Sequence, residues 1–183
     1  MKNIETERLI LRKFKITDAE DMYNNWGKIK DCNKYLPWKT HKNIDETKDI
    51  INKWLLDYES EKPNKYNYAI ELKCTEEVIG SIGPVNISYN NKNIEIGYCI
   101  GKKFWNNGYT TEALKALIKY YLLDCDFHLI KCGYMSENIA SGRVMEKSGM
   151  KKEAVLRERA LNQYTKKYDN LIIYSILKEE IID

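Results

Sequence analysis

The densest chemical signal is Phe104-Trp105-Asn106-Asn107-Gly108-Tyr109-Thr110-Thr111-Glu112-Ala113-Leu114. A strand pattern ends there, a polar turn with glycine follows, and a long helical pattern starts. The first turn of a helix has backbone N–H groups without intrahelical partners, and the helix dipole lies behind them, so it can hold an anion. Gly108 lets the backbone come close to a phosphate. The same pattern also caps helices that bind nothing. Glu95 is the second candidate. Ile94, Ile96, Tyr98 and Ile100 alternate along a strand, and Glu95 faces the other way with Gly97 and Cys99. In a sheet covered on both faces, a central carboxylate needs a role. The alternative is an edge position in solvent, or a lysine partner. Asn138 and Ser141 are the third group. By residue type alone, Asn138 caps a helix and Ser141 is an early-turn residue. Arg143 and Lys147 lie one helical turn apart on a basic face.

Metal chemistry is not expected. The five cysteines (Cys32, Cys74, Cys99, Cys125, Cys132) are scattered, odd in number and never in Cys-x-x-Cys spacing. They fit a reduced, cytoplasmic chain. Cys125 and His128 have a ligand-like spacing, but no second pair answers them in a chain with two histidines.

The elements that must position these residues follow from patterning. Arg8–Phe14 reads as a strand. Thr17-Asp18-Ala19-Glu20 reads as a capping box in which Thr17 and Glu20 satisfy each other's amides, opening a helix to about Trp26. A second helix is predicted over Asp45–Tyr58. Three strands follow, near Tyr66–Leu72, Val78–Ile82 and Ile94–Ile100. Pro84 belongs at a strand end, edge or bulge because it lacks an N–H. These strands and the first should form an antiparallel half-sheet. A helix over Gly108–Leu123, a strand over Leu129–Tyr134, and a short helix over Ile139–Ser148 come next. Gly149 should be the αL residue ending that helix. Two strands close the chain, near Lys152–Leu161 and Asn170–Leu177. Strand, long helix, strand in the middle implies a right-handed parallel crossover. The expected fold class is α/β with one mixed sheet.

Length and charge bound the rest. A chain of 183 residues with 43% hydrophobic residues and net charge +3 is expected to be one folded domain, residues 1–183. No apolar stretch approaches the ~20 residues needed to span a bilayer. The first residues are acidic without an apolar core, so a signal peptide is not expected. The net charge is concentrated: Gly27–Lys42 holds five Lys against one Asp, with Tyr35, Pro37, Trp38 and His41 interleaved. This stretch is either a substrate-facing loop with aromatic walls or a solvated surface loop.

Three segments together resemble the GNAT N-acetyltransferases. The Trp105–Ala113 turn is similar to their pyrophosphate loop (Q/R-x-x-G-x-G/A). It is closest to the form Y-W-G-K-G-Y-A-T-E-A, found in the branch of ribosomal-protein N-terminal (alanine) acetyltransferases. Trp105, Gly108, Tyr109, Thr111, Glu112 and Ala113 match. Asn106, Asn107 and Thr110 depart, and the Thr110 side chain either crowds the pyrophosphate or donates to it. Arg8-Leu9-Ile10-Leu11-Arg12 with Asp18-Ala19 resembles the branch's opening R-L-x-L-R and D-A. Asn138–Met150 resembles its N-x-x-S-x-x-V-x-E-K-x-G-F helix.

The resemblance implies a mixed, mostly antiparallel twisted sheet of about seven strands with about four helices, splayed at a central parallel pair. It implies acetyl-CoA as cosubstrate, with no metal. The pyrophosphate would rest on Asn106, Asn107, Gly108, Tyr109, Thr110 and Thr111, and the pantetheine on the strand backbone at Tyr98, Cys99 and Ile100. Asn138, Arg143 and Lys147 would contact CoA, and Ser141 would lie near its sulfur. Many relatives protonate the departing thiolate with a tyrosine on this helix. Here that position is Met145, which cannot donate, and Ser141 is the remaining candidate. Glu95 would take the proton from an acceptor ammonium. Trp26, Tyr35 and Trp38 would contact the acceptor. No cysteine sits beside an evident base, so attack would be direct, in a ternary complex. The acceptor would be a protein N-terminal α-amine or, alternatively, a small-molecule amine such as an amino acid, polyamine or antibiotic. The reading from another class is a non-catalytic acyl-CoA-binding or interaction module. No membrane or nucleic-acid partner is expected, and the chain would be a monomer or homodimer.

Overall fold

The computed structural model describes residues 1–63 and 65–182. Among them, eight strands form one sheet in the order β1-β2-β3-β4-β5-β6-β8-β7. The strands are β1 (Ile4–Glu5), β2 (Leu9–Lys13), β3 (Tyr68–Leu72), β4 (Val78–Ser88), β5 (Asn93–Ile100), β6 (Leu129–Met135), β7 (Lys151–Leu161) and β8 (Tyr168–Leu177). All neighbours pair antiparallel except β5 and β6. The sheet is thus one strand larger than the sequence reading, because the two-residue β1 is too short to leave a periodic signal.

Helix α1 (Ala19–Met22) continues a 3-10 turn (Ile16–Asp18) and runs on as a π-helical turn (Tyr23–Gly27). The expected Thr17–Glu20 capping box is not what closes this start. Asp18 accepts from the Lys15 amide at 2.7 Å and takes both arms of the Arg12 guanidinium, at 2.7 and 3.0 Å. Arg12 also meets Glu71 at 2.5 Å. A buried arginine from β2 therefore holds Asp18, the residue inside the expected box. The short helices α2 (Lys30–Asn33) and α6 (Glu179–Ile182) were not anticipated either. Helix α3 (Ile44–Asp57) starts at Asn43, whose side chain accepts from the Glu46 amide.

Two further helices flank the parallel pair. Helix α4 (Tyr109–Lys119), extended by a π-helical turn (Tyr120–Asp124), makes the crossover from β5 to β6, and α5 (Ile139–Lys147) follows β6. Gly149 has φ +88°, the left-handed value expected of it.

Apolar side chains divide between the two faces of the sheet. Ile94, Ile96, Ile130, Leu114, Leu117 and Met145 belong to the larger core, with α4 and α5. Phe14, Trp26, Ile51, Val78 and Cys99 form a smaller one under α1 and α3. Successive residues of β5 point to opposite faces, so Ile94 and Ile96 face one core while Glu95 shares the Cys99 side. Pro84 sits at a bulge where the β4–β5 register shifts between Pro84 and Asn86. No described helix is long and apolar enough to cross a membrane.

Candidate active site

The parallel strands β5 and β6 pair over only three rungs: Asn93↔Leu129, Ile94↔Ile130 and Glu95↔Lys131. Beyond Glu95, β5 stays with β4 up to Ile100, and β6 stays with β8 up to Met135. The strands part into a wedge. The Gly101 amide donates to the Ile79 carbonyl at 2.9 Å, so alternation turns the backbone of Gly101 and Cys99 toward β4 and that of Tyr98 and Ile100 toward the wedge, where their ladder partners end; Cys99 is thus not one of the free backbone positions expected from sequence. Polar backbone groups seek other partners when secondary structure does not supply them. Ile100 is partly accounted for, because its carbonyl accepts from Trp105 Nε1 at 3.0 Å.

Glu95 stands at the vertex of the wedge. Its carboxylate lies 3.1 Å from Lys131 Nζ, and the two side chains are 32% and 39% exposed. Solvent therefore still reaches both, and Glu95 is neither an isolated buried carboxylate nor a fully solvated one. Lys131 was not singled out from sequence. Only the register of the parallel pair brings it opposite Glu95.

The loop before α4 forms one wall. Asn106 and Gly108 both hold left-handed conformations, with φ +61° and +79°. Gly108 is the N-cap, and it has no side chain to close off the first-turn amides. Those of Tyr109, Thr110 and Thr111 are left for an external acceptor. The loop is held from outside by Arg8. Its Nη1 donates to the Asn107 carbonyl at 3.0 Å and its Nε to Glu112 at 2.7 Å, and its guanidinium lies 4.5 Å from the Tyr109 ring centroid. Thr6 donates to the other Glu112 oxygen at 2.6 Å. These donors hold the Glu112 carboxyl below its ordinary pKa against the opposing effect of desolvation, its largest single influence. Asn107 turns its amide onto the Trp105 carbonyl at 3.0 Å. Thr110 is largely covered by the protein, so its side chain does not stand over the loop.

The other wall is the start of α5. Asn138 accepts from the Ser141 amide at 3.4 Å, the capping role its residue type suggests. The Ser141 hydroxyl lies 2.8 Å from the Tyr98 phenol oxygen, which is also 3.0 Å from the Ser141 carbonyl. Met145 is 1% exposed and belongs to the larger core. Arg143 and Lys147 are exposed on the outer side of this helix.

The aromatic residues expected on the acceptor side separate. Trp26 is 2% exposed, packed with Phe14, Ile51 and Cys99, and leaves no surface for a ligand. Trp38 is 46% exposed, its indole N–H held at 3.0 Å by the fully buried Asn33. Asn33 in turn donates to the Trp26 and Ile29 carbonyls at 2.7 and 2.8 Å. Tyr35 receives the Lys34 ammonium at 2.9 Å. His41 is buried, with Nδ1 2.8 Å from Thr47 Oγ1, and burial lowers its pKa. The turn between β7 and β8 closes onto this loop. Tyr164 Oη accepts from the Thr40 amide at 3.0 Å, and Asn162 donates to the Lys34 carbonyl at 3.2 Å. Neither Asn33 nor Tyr164 carried a local signal for this role, since each acts on residues brought near by folding. Among the described residues, no group of three His, Cys, Asp or Glu is placed to hold a metal ion.

A family model described as an acetyltransferase (GNAT) domain matches residues 8–151. The uncharacterized N-acetyltransferase p20 of Bacillus licheniformis is 30% identical over 183 residues, covering 98% of each chain. A GNAT-family acetyltransferase structure from Bacillus anthracis superposes with TM-score 0.84 at 28% identity, covering 97% of this chain and 99% of that one. A ribosomal L7/L12 alpha-N-protein acetyltransferase in complex with coenzyme A has the same fold, with TM-score 0.84 at 20% identity over 96% of this chain and 98% of that one.

Proposed function

The chain belongs to the GNAT acetyltransferase family and is an acyltransferase; from that premise we propose that it moves an acetyl group from acetyl-CoA to a protein N-terminal α-amine. The observation that carries this reading is the wedge itself. The β5–β6 ladder ends at Glu95↔Lys131, between a helix N-terminus left open at Gly108 and the Ser141 end of α5.

The residues fit the cosubstrate. First-turn amides of α4, with no capping side chain, suit a pyrophosphate. Wedge-side backbone groups of Tyr98 and Ile100 suit the pantetheine amides, and an amide there would polarise the thioester carbonyl. Asn138, Arg143 and Lys147 lie on the same helix as Ser141 and supply polar and basic groups for the outer parts of CoA. Acetyl-CoA supplies the thioester carbon that the amine attacks.

The chain's own groups handle protons. Glu95 accepts a proton from the acceptor ammonium, directly or through water, leaving a lone pair on nitrogen. The N–C bond forms and the C–S bond breaks, with its electron pair on sulfur. The Ser141 hydroxyl passes its proton to that sulfur and takes the one that nitrogen sheds. Glu95 then releases its proton to solvent, so the net products are amide, thiol and one proton. The exposed face of Trp38, with Tyr35, contacts the acceptor. The whole chain serves as one catalytic unit in a reduced cytoplasmic setting.

The test is thiol release from acetyl-CoA over a panel of N-terminal peptides and small amines. Turnover with peptides bearing free N-termini is expected, and preference for a free amino acid, polyamine or antibiotic amine would replace the acceptor assignment. Thermal stabilisation by acetyl-CoA without turnover of any amine would mark a binding module instead.

A further inference from the structure

We infer that Tyr98 is a positioning residue for the Ser141 hydroxyl, fixing where that hydroxyl lies in the wedge when the thiolate departs. The inference rests on the role proposed above for Ser141. Tyr98 is on β5 past the last rung of the parallel pair, and Ser141 is on α5, which follows β6. Their contact therefore spans the two arms of the wedge.

The phenol oxygen touches Ser141 twice, at 2.8 Å from Oγ and 3.0 Å from the carbonyl oxygen. A phenol has one proton, and a carbonyl can only accept. Two arrangements are open, of which the first satisfies both contacts and the second gives up the hydrogen bond to the carbonyl. In one, Tyr98 donates to the carbonyl and the serine hydroxyl donates to Tyr98. In the other, Tyr98 donates to Oγ and the serine proton is free to point at a developing anion. They interconvert by turning two O–H bonds, with no movement of heavier atoms. Without Tyr98, a serine this early in a helix can take other χ1 wells and bond its own backbone.

Other contacts favour the same role. Asn138 holds the Ser141 amide at 3.4 Å, so the serine is fixed from both ends. The ring of Tyr98 packs against the larger core. Burial pushes its phenol pKa well up, so it remains a protonated donor and is not a net proton source. Met145 is sunk in that core and offers no substitute.

The experiment measures kcat and the acetyl-CoA KM for Tyr98→Phe, Ser141→Ala and the double variant, with thermal shift on CoA binding as a control. Ser141→Ala is expected to lower kcat about 100-fold, and Tyr98→Phe about tenfold. The acetyl-CoA KM should stay within about twofold in each, as for a loss confined to the chemical step. The double variant should be no slower than Ser141→Ala alone, because Tyr98 acts only through that hydroxyl. Losses that multiply in the double variant, or an unchanged kcat in Tyr98→Phe, would overturn the inference while leaving Ser141 in place. Full activity in Ser141→Ala would overturn the Ser141 reading and this inference with it. Were Ser141→Ala to lose its CoA thermal shift, Ser141→Cys would take its place in the same cycle.

Discussion

Glu95 and Lys131 form the last rung of the parallel β5–β6 pair, and their side chains meet at 3.1 Å where the strands separate. The pair stands where the parallel ladder ends, and Glu95 is the one carboxylate of β5. Both groups are about one-third exposed, and ion pairs of that kind contribute about 0–1 kcal/mol. A lysine partner is the structural alternative to a catalytic role for Glu95, and the structure supplies one in Lys131, so substitution has to separate the two.

Glu95→Gln keeps shape and removes the proton acceptor. The expected outcome is a fall in kcat of about 100-fold or more, with the thermal shift produced by CoA retained. Lys131→Met should cost less than about 1 kcal/mol in urea denaturation. Unchanged turnover in Glu95→Gln would remove Glu95 from the mechanism.

Gly108 is left-handed at φ +79°, and a Cβ there would find its nearest neighbour, Arg8 Nη2, at an ordinary 3.6 Å. Space is available, so the cost of Gly108→Ala is backbone strain of about 1 kcal/mol. The loop proposed to hold the pyrophosphate should shift with it. The acetyl-CoA KM is expected to rise several-fold with kcat nearly unchanged, read by steady-state kinetics.

Arg12 is buried against Asp18 and Glu71. Arg12→Met leaves two carboxylates in a poorly solvated place without a cation, a change that costs about 3–5 kcal/mol. Equilibrium urea denaturation should show that loss. A loss under about 1 kcal/mol would mean that water reaches the carboxylates.

His41 carries a pH signature. Burial lowers its pKa in the fold, with Glu46 opposing. The unfolded chain then binds the proton more readily, so stability falls as pH drops below the unfolded value of about 6.5 and continues down to the folded pKa. Thermal melting between pH 7.5 and 5 should show this slope in the native chain and less of it in His41→Gln.

Tyr164 Oη accepts from the Thr40 amide, tying the β7–β8 turn to the loop proposed to meet the acceptor. Tyr164→Phe loses that bond, worth about 1 kcal/mol, and frees the loop carrying Tyr35 and Trp38. The acceptor KM should rise about fivefold while the acetyl-CoA KM holds. Equal changes in both would show that the turn does not act on the acceptor side alone.

Much of the fold was legible in the chain because it depends on local spacing. Asn138 caps α5, Gly108 opens α4, Gly149 ends α5 with a positive φ, and Pro84 marks a bulge. Each follows from a single residue's backbone chemistry. The helical start lies two residues before the Thr17–Glu20 box, where Asp18 accepts from the Lys15 amide, and the long-range part is that Arg12 holds Asp18 together with Glu71 from β3. Trp26 looked like a wall beside the basic loop, and burial made it core. Its aromatic character suits either place, and only the packing of α1 over the sheet distinguishes them.

By itself, the sequence determined the element order, the parallel crossover, the open helix N-terminus at Gly108 and the family. These rest on hydrophobic period, caps and motif order, all readable along the chain. Tertiary structure alone decided that Lys131 meets Glu95, that Tyr98 reaches Ser141, that Arg8 clamps the α4 loop and that Tyr164 ties down the Thr40 loop. Each joins residues from separate elements. Their meeting depends on strand register and helix packing, which are set by the whole core at once.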